Sequence, residues 1–145
     1  MAFRFRLATL LRYRQLLEER AQVELAAATL ALTQESRKLE ALKEDHRRLQ
    51  AELRQEQQAA FTAGTARLYD LALRRMAGRV LTQQAQVTRH EELVKTGMER
   101  LLEASTRKKV IAGLEERARE RYRRAEARAE QRALDETALA RHRRA

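Results

Sequence analysis

Ala59-Ala60-Phe61-Thr62-Ala63-Gly64-Thr65-Ala66 is the stretch on which the fold turns, because almost every residue on either side of it can belong to a long helix. Ahead of it, Leu25, Ala28, Leu32, Glu35, Leu39, Leu42, His46, Leu49, Leu53, Glu56 and Ala60 follow one another in alternating steps of three and four, the heptad spacing of a coiled-coil seam. Beyond it, Tyr69, Leu73, Met76, Val80, Gln83, Val87, His90, Val94, Gly97, Leu101, Ala104, Lys108, Ile111, Glu115, Ala118, Tyr122 and Ala125 do the same without a skip. Two such grids joined by a short break predict an all-α chain, a long antiparallel two-helix hairpin. The expected boundaries are a first helix over about 3–60, a turn over about 61–66 and a second helix over about 67–141, in a single coiled-coil domain spanning 1–145.

A turn centred on Gly64 and Thr65 opposes residues whose numbers add to about 129. Leu32 then faces Gly97, Leu25 faces Ala104, Arg14 faces Glu115 and His46 faces Gln83. Large and small side chains alternate across such a seam, as two helices at constant separation require. The paired part is expected to be a rod roughly 90 Å long at about 1.5 Å per residue. The last residues, from Ala129 on, form a helical overhang with no partner, and a lone helix of this length is expected to fray.

Composition supports helices and excludes much else. Charged residues make up 36% and aromatics 4% of the 145 residues, and there is no proline to interrupt either arm. The chain has no cysteine, hence no disulfide framework, thiolate metal site or thiol nucleophile. The opening Met1-Ala2-Phe3-Arg4-Phe5-Arg6-Leu7 carries charge inside its apolar pattern and leads into no long apolar run, so neither a signal peptide nor membrane insertion is expected. The formal net charge of +10 raises the question of nucleic acid. Acids interleave with the arginines throughout, however, and stacking side chains are scarce, so no specific nucleic-acid binding is expected.

No phosphate-cradling glycine loop, nucleophile elbow or His-Glu-x-x-His pattern occurs, and His46, His90 and His142 are far apart along the arms. The expectation is a non-enzymatic protein with no catalytic residue, cofactor or metal. Two features stand out instead. Leu16, Val23 and Leu30 recur every seven residues on the face turned away from the predicted seam, as idle surface or as a docking stripe, and the stripe is the preferred reading. The tail carries Arg128, Glu130, Gln131, Arg132, Leu134, Asp135, Glu136 and Arg141, charges of both signs around two leucines.

Phe3-Arg4-Phe5-Arg6-Leu7 with Leu10-Leu11-Arg12, the middle Leu68-Tyr69-Asp70-Leu71, and the ending Glu116-Arg117, Glu130-Gln131 and Leu134-Asp135-Glu136 together resemble the flagellar FliJ family over the whole chain. The resemblance implies a component of the bacterial flagellar type III export apparatus, shaped like the central stalk of a rotary ATPase. It implies as partners the hexameric export ATPase, the cytoplasmic part of the membrane export gate and the export chaperones. The location would be cytoplasmic, peripheral at the inner face of the membrane, and the free protein a monomer. It also implies a gate contact at the positions filled here by Leu42, Asp45, Leu49, Ala72, Met76 and Gln83. For the ATPase contact, the overhang with Arg128, Glu130, Gln131, Leu134, Asp135, Glu136 and Arg141 is the expected element. A stalk of another secretion system or rotary ATPase shares the same shape, and a generic coiled-coil scaffold needs only charge and heptads.

Overall fold

The computed structural model describes residues 2–144. Two helices, α1 (Ala8–Glu56) and α2 (Ala63–Arg144), form an antiparallel helical hairpin with no strand among the described residues. The chain divides into two compact units. The middle unit is Ala21–Leu101 and holds the turn; the terminal unit is Met1–Arg20 together with Leu102–Ala145.

The seam positions are occupied as the heptads require. From Leu7 through α1 to Leu53, and from Tyr69 to Tyr122 on α2, every grid position is buried or half-buried, and Ala21, Leu39 and Val87 are the most enclosed. The grid therefore runs back through Glu18, Arg14 and Leu11 with no loss of contact, although polar groups occupy part of it. At Glu18 the cost of burying a carboxylate is offset by Lys108, whose Nζ lies 2.9 Å from Glu18 Oε2 within the terminal unit.

The register differs from expectation by one heptad. A Cβ at Gly97 would lie 3.3 Å from Leu25 Cδ1 and 3.6 Å from Leu25 Cα, so Gly97 faces Leu25 and not Leu32. In the terminal unit Phe3 packs on Tyr122 with ring centroids 5.6 Å apart. Glu115 correspondingly pairs along its own helix with Arg119 at 3.0 Å and not with Arg14. His46 shares a surface concavity with Ala77 and Val80, while Gln83 reaches Glu35.

The cause lies in the turn. Thr62 Oγ1 accepts the N–H of Thr65 at 3.2 Å, the bond of an N-cap to the third helical residue, so α2 starts at Ala63. Gly64 and Thr65 are thus the first turn of α2 and not the loop. At the other side α1 stops at Glu56, short of residue 60, where Gln58 N–H to Gln55 O and Ala59 N–H to Glu56 O tighten the chain. No described residue has positive φ, so the reversal does not use the glycine that looked like its signal. Moving the turn centre toward the N-terminus by half a heptad moves every facing pair by a whole one.

The N-terminal segment also departs from expectation, since α1 begins at Ala8 and not near residue 3. Phe3, Phe5 and Leu7 are half-buried while Ala2, Arg4 and Arg6 are exposed, an alternation with period two. In a helix Phe3 and Phe5 would point about 200° apart, whereas an extended segment places both on the coil. The overhang is longer than expected. Tyr122 is the last half-buried residue, and every described residue from Arg123 to Arg144 is exposed. It remains helical to Arg144, with Gln131 donating to Asp135 at 3.0 Å, Arg124 paired with Glu120, and a last turn of Arg141, His142, Arg143 and Arg144 facing the negative end of the helix dipole.

One polar layer of the middle unit is tied to the backbone. Gln83 Nε2 donates to Glu35 Oε2 at 2.6 Å and to the Glu35 carbonyl at 3.0 Å, while Lys38 Nζ holds Oε1 at 2.7 Å. The Lys38 hydrogen bond, and after it that from Gln83, lowers the Glu35 pKa below its ordinary 4.5. At the turn end Tyr69 is pushed up, first by burial and then by the charges of Glu56 and Glu52.

Four outcomes follow from this packing. The Cβ positions of Leu25 and Gly97 are 3.7 Å apart, within the range of a disulfide, so Leu25→Cys with Gly97→Cys should crosslink within one chain on oxidation while Leu32→Cys with Gly97→Cys should not. Gly97→Leu should destabilise by roughly 1–3 kcal/mol in thermal or urea unfolding, because the arms must separate. Gly113→Ala, with nothing within 4 Å of the new methyl, should instead stabilise by roughly 0.5–1 kcal/mol. Because the folded-state pKa of Glu35 is lowered, its stabilisation is fully present above about pH 4.5 and fades as pH falls through the folded value. The melting advantage of the parent over Glu35→Gln should accordingly shrink on acidification below that point.

Candidate functional site

Two packed helices offer faces and grooves in place of a deep cleft. In the middle unit the two helices leave a pair of adjoining concavities on one side. One, of about 570 Å³, is lined by Leu49, Ala72, Arg75, Met76 and Arg79; the other, of about 560 Å³, by Leu42, Arg75, Gly78, Arg79, Thr82 and Gln83. Five of the six positions expected at the gate contact are thereby brought together. They are seam residues and groove residues at once, because a half-buried seam side chain shows one flank to the core and the other to the groove. Asp45 is exposed and lines neither concavity.

Arg75 and Arg79 are the side chains of this surface that heptad analysis passes over. They sit one turn apart on α2 and border both concavities, and like charges at that spacing mildly disfavour the helix. The legible signal was an unbalanced cation pair around the seam residue Met76; the neighbouring Arg74, by contrast, is paired with Asp70 at 3.2 Å. The floor is apolar and the border cationic. Such a surface can bury an apolar side chain while pairing with carboxylates.

The opposite side of the middle unit holds a concavity of about 660 Å³ over Ala77, Val80, Leu81 and His46, bordered by Glu40, Lys43 and Arg47. Its cations are balanced locally, with Lys43 at 3.3 Å from Glu40 and Arg47 at 3.5 Å from Glu44. Val23 and Leu30 of the middle unit, and Leu16 of the terminal unit, are exposed on α1 as the heptad phase requires.

The expected tail residues Arg128, Glu130, Gln131, Leu134, Asp135, Glu136 and Arg141 all lie on the uncovered part of α2. Leu134 keeps 65% and Leu139 57% of their exposure, values that no coil partner reduces. Arg128 Nε donates to the Arg124 carbonyl at 3.2 Å and Gln131 to Asp135, so these groups are held along the helix with their outer edges free to meet another surface. A single helix about 10–12 Å across fits inside a ring or between other helices.

Among the described residues no group of three His, Asp or Glu side chains could hold a metal ion, and no helix is long and apolar enough to cross a membrane. His90 Nδ1 is enclosed in the seam with no hydrogen-bond partner among them. Its ring lies close enough for its charge, when protonated, to help lower the Glu35 pKa.

Neither a curated protein nor a solved structure matches the chain. A family model described as the flagellar FliJ protein matches residues 3–145, a span that includes the non-helical residues 3–7, both helices and the overhang, and the chain belongs to that family of flagellar, export-related proteins.

Proposed function

We propose that this protein is a non-enzymatic stalk and adaptor of the flagellar type III export apparatus, working at the cytoplasmic face of the membrane. In this reading the hexameric export ATPase holds the overhang, the export gate meets the paired concavities of the middle unit, and export chaperones dock on the apolar positions Leu16, Val23 and Leu30. The observation that carries the proposal is the 22-residue run Arg123–Arg144, helical and exposed throughout, in a chain of the FliJ family.

A helix continued so far past its partner gains nothing from the coil. Exposed leucines at 134 and 139 add no stability in water, and they acquire walls on entering a ring. Charges of both signs surround them along the helix, and exposed pairs of this kind contribute little individually. A shaft held by many weak pairs passes between equivalent subunits without a deep trap at one angle.

At the gate contact, the apolar floor of Leu42, Leu49 and Met76 supplies buried area, and Arg75 and Arg79 add charge that selects for acidic groups. Asp45 stands outside these concavities, so its share in the contact is proposed as a peripheral one.

Truncation after Tyr122 tests the central claim. The shortened hairpin retains every half-buried seam residue, so its melting temperature should stay within a few degrees of the parent, while stimulation of ATP hydrolysis by the export ATPase should fall to a small fraction. Full stimulation by the truncated chain would move the ring contact off the overhang.

A further inference from the structure

The concavity of about 660 Å³ over Leu81 takes no part in the contacts proposed above. Its floor is apolar, Ala77, Val80 and Leu81 with the His46 ring, and Leu81 keeps 72% of its exposure there. Along its border α1 carries Glu40, Lys43 and Arg47, with Glu44 next to Lys43, so the charges run negative, positive, negative, positive. Reversed, that order has every sign inverted. An antiparallel copy of the same stretch therefore meets an opposite charge at each place, Glu40 against Arg47 and Lys43 against Glu44.

The floor is self-complementary in the same sense. Leu81 stands one turn beyond Ala77 on α2, and reversal sets the Leu81 of each copy on the Ala77 of the other, large against small. The two reversals share one centre. Leu25 and Gly97 face each other, and eighteen residues from each toward the turn lie positions 43 and 79. The midpoint of the charged row on α1 is thus level, within half a residue, with the midpoint of Ala77 and Leu81 on α2, and a single two-fold axis serves both helices. Net charge does not oppose the meeting either, because the middle unit carries 13 Lys and Arg against 11 Asp and Glu and so repels its like only weakly.

We infer that two copies of this chain associate through this face, the middle unit of one packing antiparallel on the middle unit of the other, α1 on α1 and α2 on α2. Within one chain Lys43 lies 3.3 Å from Glu40 and Arg47 3.5 Å from Glu44, exposed pairs that contribute little alone. Between copies each cation bridges a carboxylate of its own helix and one of the facing helix, while Leu81 leaves water. The paired concavities bordered by Arg75 and Arg79 are on the opposite side and stay open, so the association does not compete with the gate contact proposed above. The free protein is then a dimer, in place of the monomer that the family resemblance implies. The face is small for a permanent complex, and the dimer is accordingly weak and reversible.

Sedimentation equilibrium of the full chain between about 1 μM and about 300 μM should show monomer passing into dimer. Lys43→Glu with Arg47→Glu leaves four negative charges in the row, and Glu40→Lys with Glu44→Lys leaves four positive ones. Each double variant alone should raise the dissociation constant at least about thirtyfold, and an equimolar mixture of the two should restore association to within about tenfold of the parent, as a heterodimer. Leu81→Gln should raise the constant about tenfold. Arg89→Glu with Arg100→Glu makes the same change of charge in the heptad phase of Thr82 and Arg79, and should leave the constant within about twofold. Circular dichroism should show every variant as helical as the parent. A charge-inverted variant that associates as well as the parent, or an oppositely charged mixture that stays monomeric, would overturn the inference. A parent that stays monomeric over the whole range would overturn it too, and assign the floor of Ala77 and Leu81 to a partner of another sequence.

Discussion

The distance between two helices is set by the side chains they share, and in the middle unit a glycine lets them approach closely. At Gly97 the backbone of α2 comes so near α1 that an added methyl would touch both the side chain and the Cα of Leu25. Leu25 fills the space that a larger partner would claim. Coils of two helices bury little per residue, and the most enclosed side chains here are only Ala21, Leu39 and Val87. Stability is therefore a sum of many half-buried contacts, each dependent on the arms staying close and in step.

Being in step is a separate problem from being close, and polar groups address it. Leucine facing leucine tolerates a slip by a heptad. The Gln83 amide does not, because it engages both the carboxylate and the carbonyl of Glu35 and would lose them in any other register. Lys108 and Glu18 act likewise in the terminal unit. These polar seam residues are less stabilising than leucine would be, and they select one alignment from several of similar hydrophobic quality.

This explains what the amino-acid sequence disclosed and what it withheld. The two grids, the antiparallel pairing, the outward leucines of α1 and the uncovered tail were legible, because a 3.5-residue period marks faces unambiguously. The register was not, since shifting one grid by seven leaves every face in place. The deciding residue was Thr62, whose cap starts α2 before Gly64, and glycine was the more conspicuous and less informative signal. The start of the chain reads as helix because the short alternation Phe3, Phe5, Leu7 merges into the longer-period pattern that follows. Of the expected contact residues, those at the gate were legible only through family resemblance. Their convergence into two concavities with Arg75 and Arg79 depends on the register and could not be read before it was known.

The clasp of Phe3 on Tyr122 joins residues almost a whole chain apart, while Tyr69 already feels the carboxylates of Glu52 and Glu56 across the turn. Closing a long loop in an unfolded chain costs more entropy than closing a short one, so a hairpin of this kind is expected to zip from its turn toward its ends. The clasp then closes last and opens first. The surface around Phe3 and Tyr122 is consequently a late product of folding, absent from any chain that has paired only near the turn. A surface assembled in that order distinguishes finished molecules from unfinished ones, without any added recognition element.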